Sequence, residues 1–310
     1  MSSPLPSSSA DAYDHRVRST AFAYLDQLAG SGKPVVRQED LAGFSVDGVA
    51  LRLMATQQGI WKPRRLGAAL SFRTVFAADP AQRPYDDDPG TDGFLRYKWR
   101  GQDPDHPDNR ALRNAMVRGL PLIWFHGVAS GIYLPVFPVW LAAEEPHLHQ
   151  FVVSLDAESV RARRDLAAED PELLRSYAER VVMTRLHQPV FRQRVLLAYE
   201  NQCALCRLRH TRLLDAAHVL ADSAGGEPVV TNGIAMCKIH HAAYDADIFG
   251  ISPEYRVGVR ADVMTETDGP TLKYTLQAID GSEIELPRHR KARPDRDLLH
   301  IRWSQFLEAS

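Results

Sequence analysis

Three cysteines in 310 residues cannot build the disulfide framework of a secreted scaffold, and an odd count leaves one thiol over. Charge of one sign is also missing: 37 Lys and Arg stand against 39 Asp and Glu, a net charge of −2. That excludes a protein that coats nucleic acid by charge alone, but not one with a local basic face. Long apolar runs are absent. The longest, Leu120 to Phe125 and Tyr133 to Ala143, fall short of the ~20 residues of a membrane helix, so no membrane partner is expected. The opening residues are Ser/Pro-rich with no charged-then-apolar leader pattern, and a cytoplasmic location is the expectation. With 45% hydrophobic and 25% charged residues, the composition is that of a globular protein of about two domains.

What is present is unevenly spread. Residues 1–12 are expected to be disordered. A helix is predicted from Asp14 to Ala29, where Val17, Ala21, Tyr24, Leu25 and Leu28 recur at helical spacing, with a short helix at Val36 to Leu41. From Val46 to Val153 the pattern turns to strands: Val49 to Leu53, Ala69 to Val75, Phe94 to Trp99, Leu120 to Gly127, Tyr133 to Leu141 and Phe151 to Val153. A helix from Asp108 to Arg118, capped by Asp108 or Asn109, interrupts them. This order predicts an α+β domain over 13–155 with a curved or barrel-like sheet. Residues 156–184 are dense in charge and read as a solvated helical linker, placing a domain boundary there. The second domain, 185–310, opens with a helix from Gln188 to Tyr199. It closes with strands at Leu272 to Ile279 and Glu283 to Leu286, a basic stretch and a helix from Leu298 to Leu307. No internal repeat is seen.

All three cysteines lie in the second domain. Cys203 and Cys206 form a C-x2-C pair, and Cys237 and His240 a C-x2-H pair. Each pair can grip one face of an ion through a tight turn or a helix start. Together they make a Cys3His set, the donor set of a closed tetrahedral structural zinc site. Three cysteines clustered merely as small buried residues is the alternative. Four zinc ligands leave His218, Asn232 and His241 unexplained. His218 ends a predicted strand, Asn232-Gly233 makes a turn, and His241 follows a zinc ligand at a helix start.

The run C-x2-C, Asp215-x2-His218, Asn232-Gly233, C-x2-H-His241, Tyr244-Asp245 resembles the zinc-stapled branch of the HNH endonuclease (ββα-metal) family over residues 199–249. The resemblance implies that His218 is the general base that activates water toward a phosphodiester. It implies that His241 is a ligand of a catalytic divalent metal (Mg2+, Mn2+, Co2+ or Ni2+). It implies that Asn232 orients the base or holds the metal loop. Many members place an acidic ligand directly before the base; here that position is Ala217, and Asp215 is the replacement. Asp245 reads as an orienting group.

A second pattern lies in the first domain. Tyr85, Asp86, Asp87 and Asp88 precede Tyr97. Carboxylates repel phosphate, yet beside aromatics they suit a pocket that receives a base. From Arg64 to Leu141 this string, with Gly90, Gly101, Asn109 to Leu112, Gly119 to Ile123, Gly127 and Gly131 to Tyr133, resembles the SRA domain, a reader of modified cytosine that flips the base out of the duplex. The resemblance implies that Tyr85 and Tyr97 sandwich the base and Asp88 reads its edge. Lys98 stands where a small hydroxyl residue is usual. The plain alternative is an acidic surface loop beside a core tyrosine. Arg288, Arg290, Lys291 and Arg293 form a cationic stretch that either tracks a DNA backbone or is a solvated run.

The two resemblances together imply a modification-dependent restriction endonuclease. It would read 5-methylcytosine or 5-hydroxymethylcytosine in double-stranded DNA and cut nearby as a homodimer or larger homo-oligomer. The alternatives are an HNH nuclease with another first-domain specificity, such as unmodified or phosphorothioated DNA, and a non-catalytic modified-DNA binder with a structural zinc.

Overall fold

The computed structural model describes residues 9–76, 90–165 and 170–309. Tyr85, Asp86, Asp87 and Asp88 lie outside the described residues. The chain divides into two compact units, Met1–Leu186 and His187–Ser310. No helix among the described residues is long and apolar enough to cross a membrane.

The first unit opens with α1 (Ser9–Gly30), which begins inside the stretch expected to be disordered. Its Val17, Ala21 and Leu25 are buried with Leu70, Ile123 and Phe125. A polar pair sits in that apolar face: Arg18 Nε lies 2.7 Å from Asp14 Oδ1, both side chains 3% exposed. Arg18 also donates to the carbonyls of Pro121 at 2.6 Å and Ala69 at 2.8 Å. These bonds offset the desolvation of the guanidinium.

A hairpin of β1 (Ser45–Val46) and β2 (Val49–Ala50) follows. Next come β3 (Ile60–Trp61), β4 (Ser71–Thr74), β5 (Leu95–Lys98), α2 (Pro107–Val117), β6 (Leu122–Ala129), β7 (Ile132–Glu145) and β8 (Gln150–Ser154). Among the described residues, six strands form one sheet in the order β3-β4-β6-β7-β8-β5. The β4 and β6 strands are parallel, so the chain between them must cross over, and α2 lies in that crossover. The long β7 pairs with β6 through one half and with β8 through the other, with register shifts at Gly127/Ala129 and Leu141/Ala143. Such shifts bend a strand, and the sheet curls accordingly. The unit is thus mixed α+β with a curled sheet.

Four local expectations are corrected. The helix α2 is capped by His106, whose Nδ1 accepts from the Asp108 amide, not by Asp108 or Asn109. Asn109 instead braces the preceding loop, accepting from the Arg100 amide and donating to the Arg100 and Asp103 carbonyls. The strand expected at Val49 to Leu53 is only the two residues of β2, and the helix at Val36 to Leu41 only a short turn at Glu39–Leu41. The charged stretch, read as a solvated helical linker, is helical, as α3 (Ala157–Asp165) and α4 (Pro171–Val182), but it is packed rather than solvated. Leu174 and Ala178 of α4 are buried with Phe94 and Val152, and Arg163 of α3 pairs with Asp92 at 2.5 Å. Arg163 turns inward to Asp92 and the Phe94 ring, and Leu174 and Ala178 dock α4 on the sheet.

The second unit runs from α5 (Gln188–Ala198) through β9 (Leu214–His218), β10 (Gly233–Cys237) and α6 (Lys238–Asp245). It continues with β11 (Phe249–Ile251), β12 (Val257–Val259), α7 (Ala261–Thr265) and α8 (Arg296–Ala309). Residues 272–279, predicted as a strand, are helical turns. Leu272 and Ile279 are buried and Tyr274 is 70% exposed, so the burial follows a helical period. The expected strand at Glu283 to Leu286 is reduced to one bridge, Glu283 to Arg256.

Candidate active site

The antiparallel hairpin β9-β10 and the helix α6 form a ββα unit. His218 is opposite Gly233, Asp215 opposite Met236, and α6 starts directly after Cys237. The loop Cys203 to Cys206 folds against this hairpin through the Ala204 amide, which donates to the Ala235 carbonyl at 2.7 Å. The turn closes at Arg207, in the left-handed region at φ 59°.

These elements bring Cys203, Cys206, Cys237 and His240 together, with all four ligand atoms within 4.8 Å of one another. His240 Nδ1 lies 3.4 Å from Cys203 Sγ and 3.2 Å from Cys237 Sγ. Its Nε2 lies 2.9 Å from the Thr275 carbonyl oxygen. That contact fixes Nε2 as the N–H donor and turns the Nδ1 lone pair toward the sulfurs. Three thiols and one oriented imidazole fit zinc. Thr275 was missed by sequence reasoning; it lies far along the chain with no local signal.

The remaining histidines open on one cleft of about 450 Å3, lined by His218, Leu220, Asp222, His241, Asp245 and Arg302 among others. The His218 ring lies nearly parallel to Phe191, centroids 4.1 Å apart and planes 18° apart. Burial pushes the His218 pKa below the ordinary imidazole value, helped by His241, against the opposing pull of Asp222, Asp245 and Asp215. It is therefore neutral at neutral pH, the state a base requires.

His241 sits between two carboxylates: Nδ1 is 3.6 Å from Asp215 Oδ2, and Nε2 is 3.3 Å from Asp245 Oδ2. The bond to Asp215, with both negative charges, raises its pKa despite burial. Burial works to raise the Asp215 pKa, but the bonds from His241 and the Ala216 amide and the charge of Arg192 hold it below the usual carboxylate range. The Asp215 carboxylate thus lies within 3.6 Å of the His241 ring. Two donors of this kind suit a hard divalent ion that keeps much of its water.

Asn232 is fully buried and faces the loop behind His218. Its Oδ1 accepts from the Leu220 amide at 2.8 Å, and its Nδ2 donates to the carbonyls of Leu220 at 3.0 Å and Glu227 at 2.9 Å. Arg302, from α8, was not anticipated. It donates to the Tyr244 carbonyl at 2.8 Å and pairs with Asp247 at 2.5 Å, tying α8 to the end of α6.

The other predicted residues are placed as follows. Tyr97 is 2% exposed, with its ring 4.6 Å from that of Phe72. Arg288, Arg290 and Lys291 are exposed, and Arg293 is half-buried. Arg288 pairs with Glu200 at 2.5 Å, and Arg293 Nε donates to the Pro287 carbonyl at 3.3 Å.

Residues 203–252 match the family described as HNH endonuclease. No curated protein matches the chain. Among solved structures, the chain is similar to a modification-dependent restriction endonuclease, TagI, at 17% identity, covering 81% of this chain and 86% of that one, with a TM-score of 0.29. It is also similar to ScoMcrA, described as a type IV phosphorothioation-dependent restriction endonuclease, at 16% identity over 72% of this chain and 60% of that one, with a TM-score of 0.23. The matched segment holds the Cys3His cluster and the His218–His241 cleft together. The second unit thus carries an HNH endonuclease domain over residues 203–252.

Proposed function

We propose that the protein is a modification-dependent DNA endonuclease, in which the first unit selects DNA carrying 5-methylcytosine or 5-hydroxymethylcytosine and the second hydrolyses a phosphodiester. The observation that carries this reading is the shared cleft of His218 and His241, with Asp215 Oδ2 3.6 Å from the His241 ring. Neutral His218 removes a proton from a water molecule, which attacks phosphorus as the bond to the 3′-oxygen breaks. His241 and Asp215 would hold the divalent metal (Mg2+, Mn2+, Co2+ or Ni2+), which when bound supplies positive charge to the phosphate and the departing oxygen. Asn232 holds the loop after the base, and Cys203, Cys206, Cys237 and His240 would hold a structural zinc that braces the ββα unit. Arg288, Arg290, Lys291 and Arg293 track the DNA backbone. Cutting both strands takes two such sites, hence a homodimer or larger assembly.

In this reading the first unit resembles an SRA domain, Tyr85 and Tyr97 sandwich the flipped base, and Asp88 reads its edge. One observation favours a second reading, an HNH nuclease with a different first-unit specificity: the Tyr97 ring is already packed on Phe72. Digestion of matched plasmids carrying cytosine, 5-methylcytosine or 5-hydroxymethylcytosine, with each of the four metals, tests both. Cleavage of only the modified plasmids, lost in Asp88→Ala, supports the first. Equal cleavage of all three supports the second. No cleavage with any metal refutes both.

A further inference from the structure

We propose that Phe191 and Arg192, consecutive residues of α5, are positioning residues of the nuclease site. Phe191 would set the plane of the His218 imidazole, and Arg192 would turn the Asp215 carboxylate so that one oxygen faces His241. The inference rests on the reading of His218 as the base and of Asp215 with His241 as the metal pair.

A base must present one nitrogen to the cleft at a fixed tilt. The Phe191 ring covers one face of His218 at 4.1 Å and 18°. Phe191 is itself held, 2% exposed. It lies where Gly233 passes so close that a Cβ there would fall 2.9 Å from the ring. Gly233 is also the residue opposite His218 across the hairpin. Glycine at 233 thus has a packing reason: a side chain there would meet Val195, 2.4 Å from the Cβ position, and press on the Phe191 ring that covers the imidazole.

Arg192 is anchored before it reaches Asp215. Its Nη2 donates to the carbonyls of Leu214 at 2.6 Å and Thr211 at 3.1 Å, which fixes the guanidinium plane. Nε then lies 3.3 Å from Asp215 Oδ1. That same oxygen accepts from the Ala216 amide at 2.9 Å. With Oδ1 engaged twice, Oδ2 is the oxygen left to face His241 Nδ1 at 3.6 Å. A lysine could not make both contacts, because it has no planar fork.

The test uses full-length Phe191→Leu and Arg192→Met. A base held at the wrong tilt loses rate more than binding, so Phe191→Leu is expected to lower kcat on the order of 10²-fold with KM for DNA unchanged. Arg192→Met is expected to weaken Mn2+ binding, read by calorimetry without DNA, by about 10–100-fold, the usual loss when an outer partner of a ligand is removed. Zinc content and circular dichroism should match the wild type; if Phe191→Leu fails that check, Phe191→Met replaces it. His218→Ala, run alongside, separates two failures. If His218→Ala still cleaves, the assignment of the base falls. If it is inactive while both α5 variants keep wild-type kcat and Mn2+ affinity, only the positioning role falls.

Discussion

Asn232 occupies a position where the family resemblance implies a part in orienting the base or holding the metal loop, and replacing it distinguishes chemistry from architecture. Its amide makes three hydrogen bonds to backbone, all within the segment that follows His218. At about 1 kcal/mol net per bond, Asn232→Ala should cost roughly 3 kcal/mol, because the Leu220 and Glu227 groups are left without their partner. For a unit of this size that lowers the melting temperature on the order of 10 °C. Asn232→Asp is the sharper perturbation. It keeps an acceptor for the Leu220 amide but turns both donors into an anionic oxygen facing two carbonyls. At neutral pH it should be at least as destabilising as alanine, and stability should recover as pH falls and the carboxyl regains a proton to donate. Thermal and urea melts followed by circular dichroism read the stability, and plasmid nicking well below the transition reads the chemistry. The expected pattern is a large stability loss with residual cleavage above that of His218→Ala. A variant that melts like the wild type and cleaves no better than His218→Ala would refute the reasoning and place the amide in the reaction.

Other outcomes follow from the same geometry. The lowered pKa of His218 and the raised pKa of His241 act in opposite directions on cleavage at acid pH. Protons compete with metal at His241, so at low metal the acid limb should lie above the ordinary imidazole value. At saturating metal it should retreat below that value, to the limb set by His218; a limb that ignores metal concentration would contradict this. Removing zinc with a chelator, or Cys237→Ser, should unfold the second unit, since structural zinc is worth on the order of 10 kcal/mol in small zinc domains; unchanged melting at zero zinc content would rule the structural role out. Asp14→Ala leaves the Arg18 guanidinium buried without its charge partner, so urea denaturation should show a loss of about 3–5 kcal/mol, and a loss under 1 would mean water reaches the site.

The parts of this molecule that could be read from sequence are those in which chemistry depends on near neighbours. The C-x2-C and C-x2-H spacings stand for a turn and a helix start, so the donor set follows from counting. The strand end at His218 was legible from its own apolar neighbours, but its pairing with Gly233–Cys237 across the intervening loop was not, and Gly233, read as part of a turn, is extended and opens β10. The stretch 272–279 was not legible either. Leu272, Leu276 and Ile279 satisfy a helical period, while Leu272, Tyr274 and Leu276 satisfy alternation. In so short a window the two patterns share residues, and burial of Leu272 and Ile279 with Tyr274 exposed decides it. Asn109 misled in another way. It has a capping residue's chemistry, but the loop at Arg100 to Asp103 claims all of its hydrogen bonds.

What no window of sequence could give is the support of the site from distant segments. Thr275 orients His240 across 35 residues, and Arg302 reaches the end of α6 across 58. Neither has a spacing rule, because the chain between is free to vary in length. The same holds, at shorter range, for Phe191 and Arg192. A phenylalanine in an amphipathic helix is most often core, and an arginine near a nuclease segment is most often surface. Each becomes informative only when β9 is laid beside α5, so that the ring meets an imidazole and the guanidinium meets a carboxylate. The candidate ligands and the proposed base lie in compact motifs because each must meet its neighbours within a few ångströms. The residues that aim them come from whichever helix the fold packs behind, and their identity follows from topology. In an HNH domain with the same motif but another flanking helix, the roles of Phe191 and Arg192 would therefore have to be filled by different residues.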